Sequence, residues 1–218
     1  MRITTFHHPN TRTNDERKRR MKIARLLLIG LIAIFLAACN NESKQGAHDG
    51  NGGGLGNVGE FSAITQSGEE FNVTDLKGSW WVADFIFTNC TTVCLPMTAN
   101  MAKLQQMLED EGLDDVKLVS FSVDPDRDTP EVLTAYGEEY GADFNRWYFL
   151  TGYEFDEIMN YSVETFKNWV APPPEGSDQV EHGTSFFLVD PEGNIVSHYS
   201  GTQSDQMQTI VDDLKKFQ

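Results

Sequence analysis

Cysteine is scarce in this chain: three among 218 residues, Cys39, Cys90 and Cys94. That excludes a disulfide-stapled scaffold and a four-thiolate zinc site. Basic residues are also few, 17 Lys+Arg against 33 Asp+Glu, for a formal net charge of −16. So acidic a balance argues against nucleic acid as a partner, because a phosphate backbone demands a basic footprint. No apolar run reaches the roughly 20 residues that a membrane-spanning helix needs, and no segment repeats. Apolar residues, in contrast, make up 39% of the chain, with 14 Phe and 4 Trp. Such a chain builds a core, so wholesale disorder is excluded. Function must rest on a small set of well-placed groups.

The charge is unevenly divided. Before Cys39, eight basic residues (Arg2, Arg12, Arg17, Lys18, Arg19, Arg20, Lys22, Arg25) accompany two acids, Asp15 and Glu16; from Cys39 onward 9 basic residues face 31 acidic ones. Between the basic stretch and Cys39 lies an apolar run, residues 26–38. As a helix it spans about 20 Å at 1.5 Å per residue, short of a ~30 Å hydrocarbon core. That is the length of a signal-peptide core. The run ends Leu36-Ala37-Ala38-Cys39, which resembles the lipobox of bacterial lipoproteins, in which the Cys is diacylated and becomes the mature N-terminus. The alternative is an uncleaved anchor that ends in Cys. Met21-Lys22-Ile23-Ala24-Arg25 makes a sufficient basic lead by itself, so Met21 is an alternative start.

Residues 40–54 are polar and glycine-rich with nothing to bury, the composition of a flexible tether. The expected organisation is a signal peptide over 1–38, a lipidated Cys39 and tether over 39–57, and one domain over 58–218. The domain would be lipid-anchored at the extracytoplasmic face of the cell membrane.

Within the domain, two alternating segments around Gln66-Ser67-Gly68 predict a hairpin. Residues 80–87 form a continuous apolar run of the kind found in buried central strands. Residues 96–109 have helical spacing, with Met97, Met101, Leu104 and Leu108 on one face. A strand follows at 116–123, then a helix opened by Thr129-Pro130, a strand at 147–150 and a short helix at 154–161. Asp190-Pro191-Glu192-Gly193 is a turn between two paired strands, and a helix closes the chain from 204. This order predicts an α/β domain with a mixed sheet.

Chemistry concentrates at Cys90 and Cys94, in the turn between the buried strand and the Pro96 helix. A helix N-terminus favours thiolate. Three residues separate the pair, not the two of a redox Cys-X-X-Cys. The two thiols therefore suit either a disulfide or one soft metal ion, copper(I) or zinc. A purely structural bridge is the blander reading. Of the histidines past Cys39, His48 lies in the tether and His198 on a hairpin strand, and both read as ordinary surface residues. His182 lies just before the strand at 184–189. Asp128 is placed to cap the Pro130 helix, Asp124 lies in the same turn, and Met97 and Met101 read as core rather than thioether ligands.

Three segments carry a close resemblance: Phe87-Thr88-Asn89-Cys90-Thr91-Thr92-Val93-Cys94-Leu95-Pro96-Met97, Ser122-Val123-Asp124-Pro125-Asp126-Arg127-Asp128-Thr129-Pro130, and His182-Gly183-Thr184-Ser185-Phe186-Phe187-Leu188-Val189-Asp190-Pro191-Glu192-Gly193. In order and spacing they resemble the Sco/SenC family. The resemblance implies a thioredoxin-like fold and a copper ion held by Cys90, Cys94 and His182. It also implies a role at the binuclear copper centre of cytochrome c oxidase subunit II, by copper delivery or thiol reduction. Leu95 departs from the family, which commonly has Pro directly after the second Cys. No Pro precedes the Thr184 strand, where thioredoxins keep one, so a generic disulfide reductase is less favoured. The competing reading is a membrane-anchored thiol–disulfide oxidoreductase with Cys90 attacking and Cys94 resolving. A peroxidase-like redoxin ranks below both, since Thr88 stands only two residues before Cys90.

Overall fold

A computed structural model describes residues 55–217. The proposed signal peptide, Cys39 and His48 lie outside the described residues. The chain forms β1 (Gly56–Asn57), β2 (Ser62–Thr65), β3 (Glu70–Asn72), β4 (Trp81–Ile86), α1 (Cys94–Asp110), β5 (Lys117–Ser122), α2 (Pro130–Glu139) and β6 (Trp147–Thr151). It continues with α3 (Phe155–Phe166), β7 (Val170–Ala171), β8 (Glu181–His182), β9 (Ser185–Val189), β10 (Asn194–Ser200) and α4 (Gln206–Phe217). Eight strands make one sheet in the order β1-β10-β9-β4-β5-β6-β2-β3, and β7 and β8 pair separately.

The middle of the sheet is parallel, β4 beside β5 and β5 beside β6, while β9 runs antiparallel to β4. Every residue of β4 is buried, which is why its sequence is a continuous apolar run rather than an alternating one. Its two faces feed two cores. Trp81, Ala83 and Phe85 pack with Phe121, Ile158, Phe166 and Phe187 toward α3. Val82 and Ile86 pack with Met97, Met101, Leu104, Leu133, Ile210 and Leu214 on the side of α1, α2 and α4. The result is the thioredoxin-like α/β arrangement. Met97 and Met101 are wholly buried in that second core, as packing residues.

Several elements differ from the sequence reading. Helix α1 starts at Cys94, not Pro96, so Pro96 falls in the first turn, where its missing N–H costs no hydrogen bond. Helix α3 runs five residues past Tyr161 to Phe166 before Lys167 ends it in the left-handed region, φ 55°. The pattern gave no notice of β1, β7 and β8, each two residues long. β1 pairs Gly56 with Ile195 and Asn57 with Asn194, so the sheet begins two residues before the tether boundary read from sequence. Asp128 does not cap α2. Thr129 does, its Oγ1 accepting from the Val132 N–H at 3.4 Å, and Asp128 is turned inward. Among the described residues no helix is long and apolar enough to cross a membrane.

Candidate metal centre

The carboxyl ends of β4 and β5 carry the first half of the site. Asp128 is fully buried and accepts from the Thr88 backbone N–H at 3.2 Å, from Thr88 Oγ1 at 2.6 Å and from the Ser122 hydroxyl. It thereby fixes the point where the chain leaves β4 for the cysteine turn. The Cys90 N–H returns to the Phe87 carbonyl at 3.3 Å. At the start of α1 the Val93 side chain provides no cap. The Cys94 N–H instead donates to Cys90 Sγ at 3.4 Å, so a sulfur does the capping. A helix N-terminus carries partial positive charge, which stabilises that sulfur as thiolate.

The second half comes from the segment after α3. Beyond Lys167, Asn168 is buried, donating to Ser162 Oγ at 3.0 Å and accepting through its carbonyl from the same hydroxyl at 3.0 Å. The chain then runs as β7 antiparallel to β8, with Val170 opposite His182. The Gly183 N–H donates to the Trp169 carbonyl at 2.7 Å. A Cβ at Gly183 would collide with Asn168 Oδ1, so a larger residue here displaces the Asn168 side chain. His182 is thus a buried strand residue, not a loop residue, with its ring edge-on to Phe87 at 5.7 Å and 82°.

The imidazole tautomer follows from its surroundings. His182 Nδ1 is 2.8 Å from the Gly183 carbonyl, an acceptor only, so Nδ1 carries the proton. The lone pair on Nε2 faces the thiols, 3.3 Å from Cys94 Sγ. One ligand atom from each of Cys90, Cys94 and His182 lies within 4.8 Å of the others. Both cysteines are free thiols. The Cys94 thiol shares its proton with Cys90, which drives the Cys90 pKa well below the ordinary thiol range. The same sharing, together with burial, drives Cys94 well above it.

Two thiolates and an oriented imidazole are soft donors in the number and spacing that hold one copper or zinc ion. Three protein ligands leave a coordination position open. The group borders a cleft of about 330 Å³ that also meets Phe87, Trp169, Pro174 and Val180, with Trp169 56% exposed at its lip. His198 lies on β10 against Phe187 and takes no part in the cluster. Asp124 is paired with Arg127 at 3.6 Å, away from the cleft.

One group near the site escaped the sequence reading. Asp84 lies in the middle of β4, fully buried, with neither carboxylate oxygen hydrogen-bonded. Burial pushes its pKa up to about 7. The signal was available: Asp84 is the one acid inside an apolar run.

The SCO1/SenC family model matches residues 53–218. The crystal structure of a SCO1/SenC family lipoprotein from Bacillus anthracis is 48% identical, with a TM-score of 0.69, covering 72% of this chain and 92% of that one. BsSco, described as having a disulfide switch and as a member of the Sco family of cytochrome c oxidase assembly proteins, is 42% identical with a TM-score of 0.67, covering 75% and 94%. Yeast Sco1 with copper bound is 27% identical with a TM-score of 0.62, covering 73% and 89%. The chain belongs to the SCO1/SenC family.

Proposed function

We propose that this protein binds one copper ion through Cys90, Cys94 and His182 and assists assembly of the binuclear copper centre of cytochrome c oxidase. The observation that carries the reading is the orientation of His182. Its Nδ1 is committed to the Gly183 carbonyl, and its Nε2 lone pair is aimed at two thiols within 4.8 Å. A ring fixed in this way is a ligand held ready by its outer hydrogen bond. The soft donor set suits copper, and a copper-bound relative of the same fold supports the choice. An open coordination position suits a carrier, since an incoming ligand on subunit II would enter there and displace the protein's ligands one by one. The lipobox at Cys39 and the polar tether would anchor the domain at the extracytoplasmic membrane face. A target in the same membrane is then met at high effective concentration.

A second reading is thiol reduction at the same target. It is favoured by the asymmetry of the pair: the hydrogen bond they share lowers the pKa of Cys90 and raises that of Cys94, which suits attacking and resolving sulfurs. Copper stoichiometry separates the two. Reduced protein should retain about one copper per chain through a chelator challenge. Failure to retain any, with dithiol exchange intact, would favour the oxidoreductase.

A further inference from the structure

Residues 172–180 leave the small β7–β8 ribbon and return to it just before His182. The ribbon has only two residue pairs, Val170 with His182 and Ala171 with Glu181. So short a ribbon is too weak to fix an excursion of this length. The excursion is fastened elsewhere, at Gln179. Its Oε1 accepts from the Thr91 backbone N–H at 3.2 Å, with the Thr91 hydroxyl at 3.4 Å, and its Nε2 donates to the Asn89 carbonyl at 3.0 Å. Those are the two peptide groups on either side of Cys90. One side-chain amide thus pairs with both, as a neighbouring strand would. Asp178 reinforces the contact, accepting from Asn89 Nδ2 at 2.9 Å, from Arg127 at 3.1 Å and from Gln179 Nε2 at 3.0 Å.

We propose that Gln179 is the positioning residue of the centre, fixing the Cys90 turn against the segment that carries His182. It touches neither metal nor reacting sulfur. It sets the separation between Cys90 Sγ and His182 Nε2, which belong to segments 92 positions apart in sequence and meet through this amide. Thiolates are the soft donors that select copper(I), whereas the imidazole is the donor of this set better suited to copper(II). Loss of the amide is therefore felt by copper(II) and not by copper(I). The copper arm of this inference rests on the function proposed above; its structural arm does not.

The test compares the parent with Gln179→Ala and with Gln179→Met, which keeps the length of the side chain but neither hydrogen bond. In metal-free, reduced protein both variants should show faster amide exchange at Thr91 and displaced His182 ring resonances. With copper(II), both should dissociate about 10–100-fold faster, the usual cost of losing an outer-shell partner, while copper(I) affinity stays unchanged. Unchanged His182 resonances, or faster exchange with parent-like copper(II) dissociation, would overturn the proposal. So would a Met variant that behaves as the parent, since packing rather than hydrogen bonding would then be responsible. If the parent itself holds no copper, the proposed function fails, and the metal-free measurements alone decide the role of Gln179.

Discussion

Cys94 Sγ stands 3.3 Å from His182 Nε2, while the other ring nitrogen of His182 is engaged 2.8 Å away by the carbonyl of the next residue, Gly183. The two residues are 88 positions apart in sequence. They meet because β4 and β9 are neighbours in the sheet, so the turn after one and the ribbon before the other open on the same side. The carbonyl fixes the tautomer, and the tautomer leaves Nε2 free to serve as the third ligand of the proposed site.

Gly183→Ala tests how tightly that ligand is held. The new Cβ would meet Asn168 Oδ1 at 2.1 Å, and Asn168 is itself buried and bonded to Ser162. Crowding of this kind costs about 1–3 kcal/mol, read as a lower urea midpoint. The Asn168→Ala change should recover part of that loss in the double variant, because the two residues share one space. Strictly additive losses would mean that the clash is relieved by some other movement.

Asp84 makes stability depend on pH in a predictable direction. A carboxyl whose folded pKa is raised stabilises the fold only while protonated. The contribution is complete below the unfolded value near 4 and is lost as pH rises to about 7, the folded value. A shift of about three units corresponds to on the order of 4 kcal/mol. Asp84→Asn should abolish this component, so that its stability relative to the parent grows between pH 4 and pH 7 and levels off above. Parallel stability profiles for parent and variant in urea titrations across that range would contradict the account.

Much of the site was legible in the sequence, and the reasons are physical. Cys90 and Cys94 announce themselves because thiols are rare here and follow a buried strand directly. His182 stood out because few imidazoles lie past Cys39. The fold was legible where burial leaves a period, as in β4 or along the apolar face of α1. It was not legible at β7 and β8, because two-residue strands have no period to detect. Asp128 shows a different kind of failure. Its sequence position fits a cap, yet Thr129 takes the cap and Asp128 turns inward to hold Thr88 and Ser122, contacts 40 and 6 residues away in sequence. Gln179 gave no signal at all, since its role exists only once two loops meet.

The proposed anchoring rests on the lipobox-like run Leu36-Ala37-Ala38-Cys39. Cys39→Ser should remove acylation and leave an unprocessed precursor held by its apolar signal segment. Metabolic labelling with palmitate, followed by gel mobility, checks both points. Label on the variant, or parent protein released to the medium without lipid, would rule out the lipoprotein assignment.

The central claim is a copper site built from Cys90, Cys94 and His182, and the ligands of the bound ion test it most directly. X-ray absorption on the copper(II) form should show two sulfur scatterers and one imidazole nitrogen from the protein. In His182→Ala the imidazole signature should disappear and the thiolate-to-copper charge-transfer band should shift or collapse, while copper(I) remains on the two thiolates. A copper(II) spectrum in His182→Ala identical to that of the parent would contradict the three-ligand site.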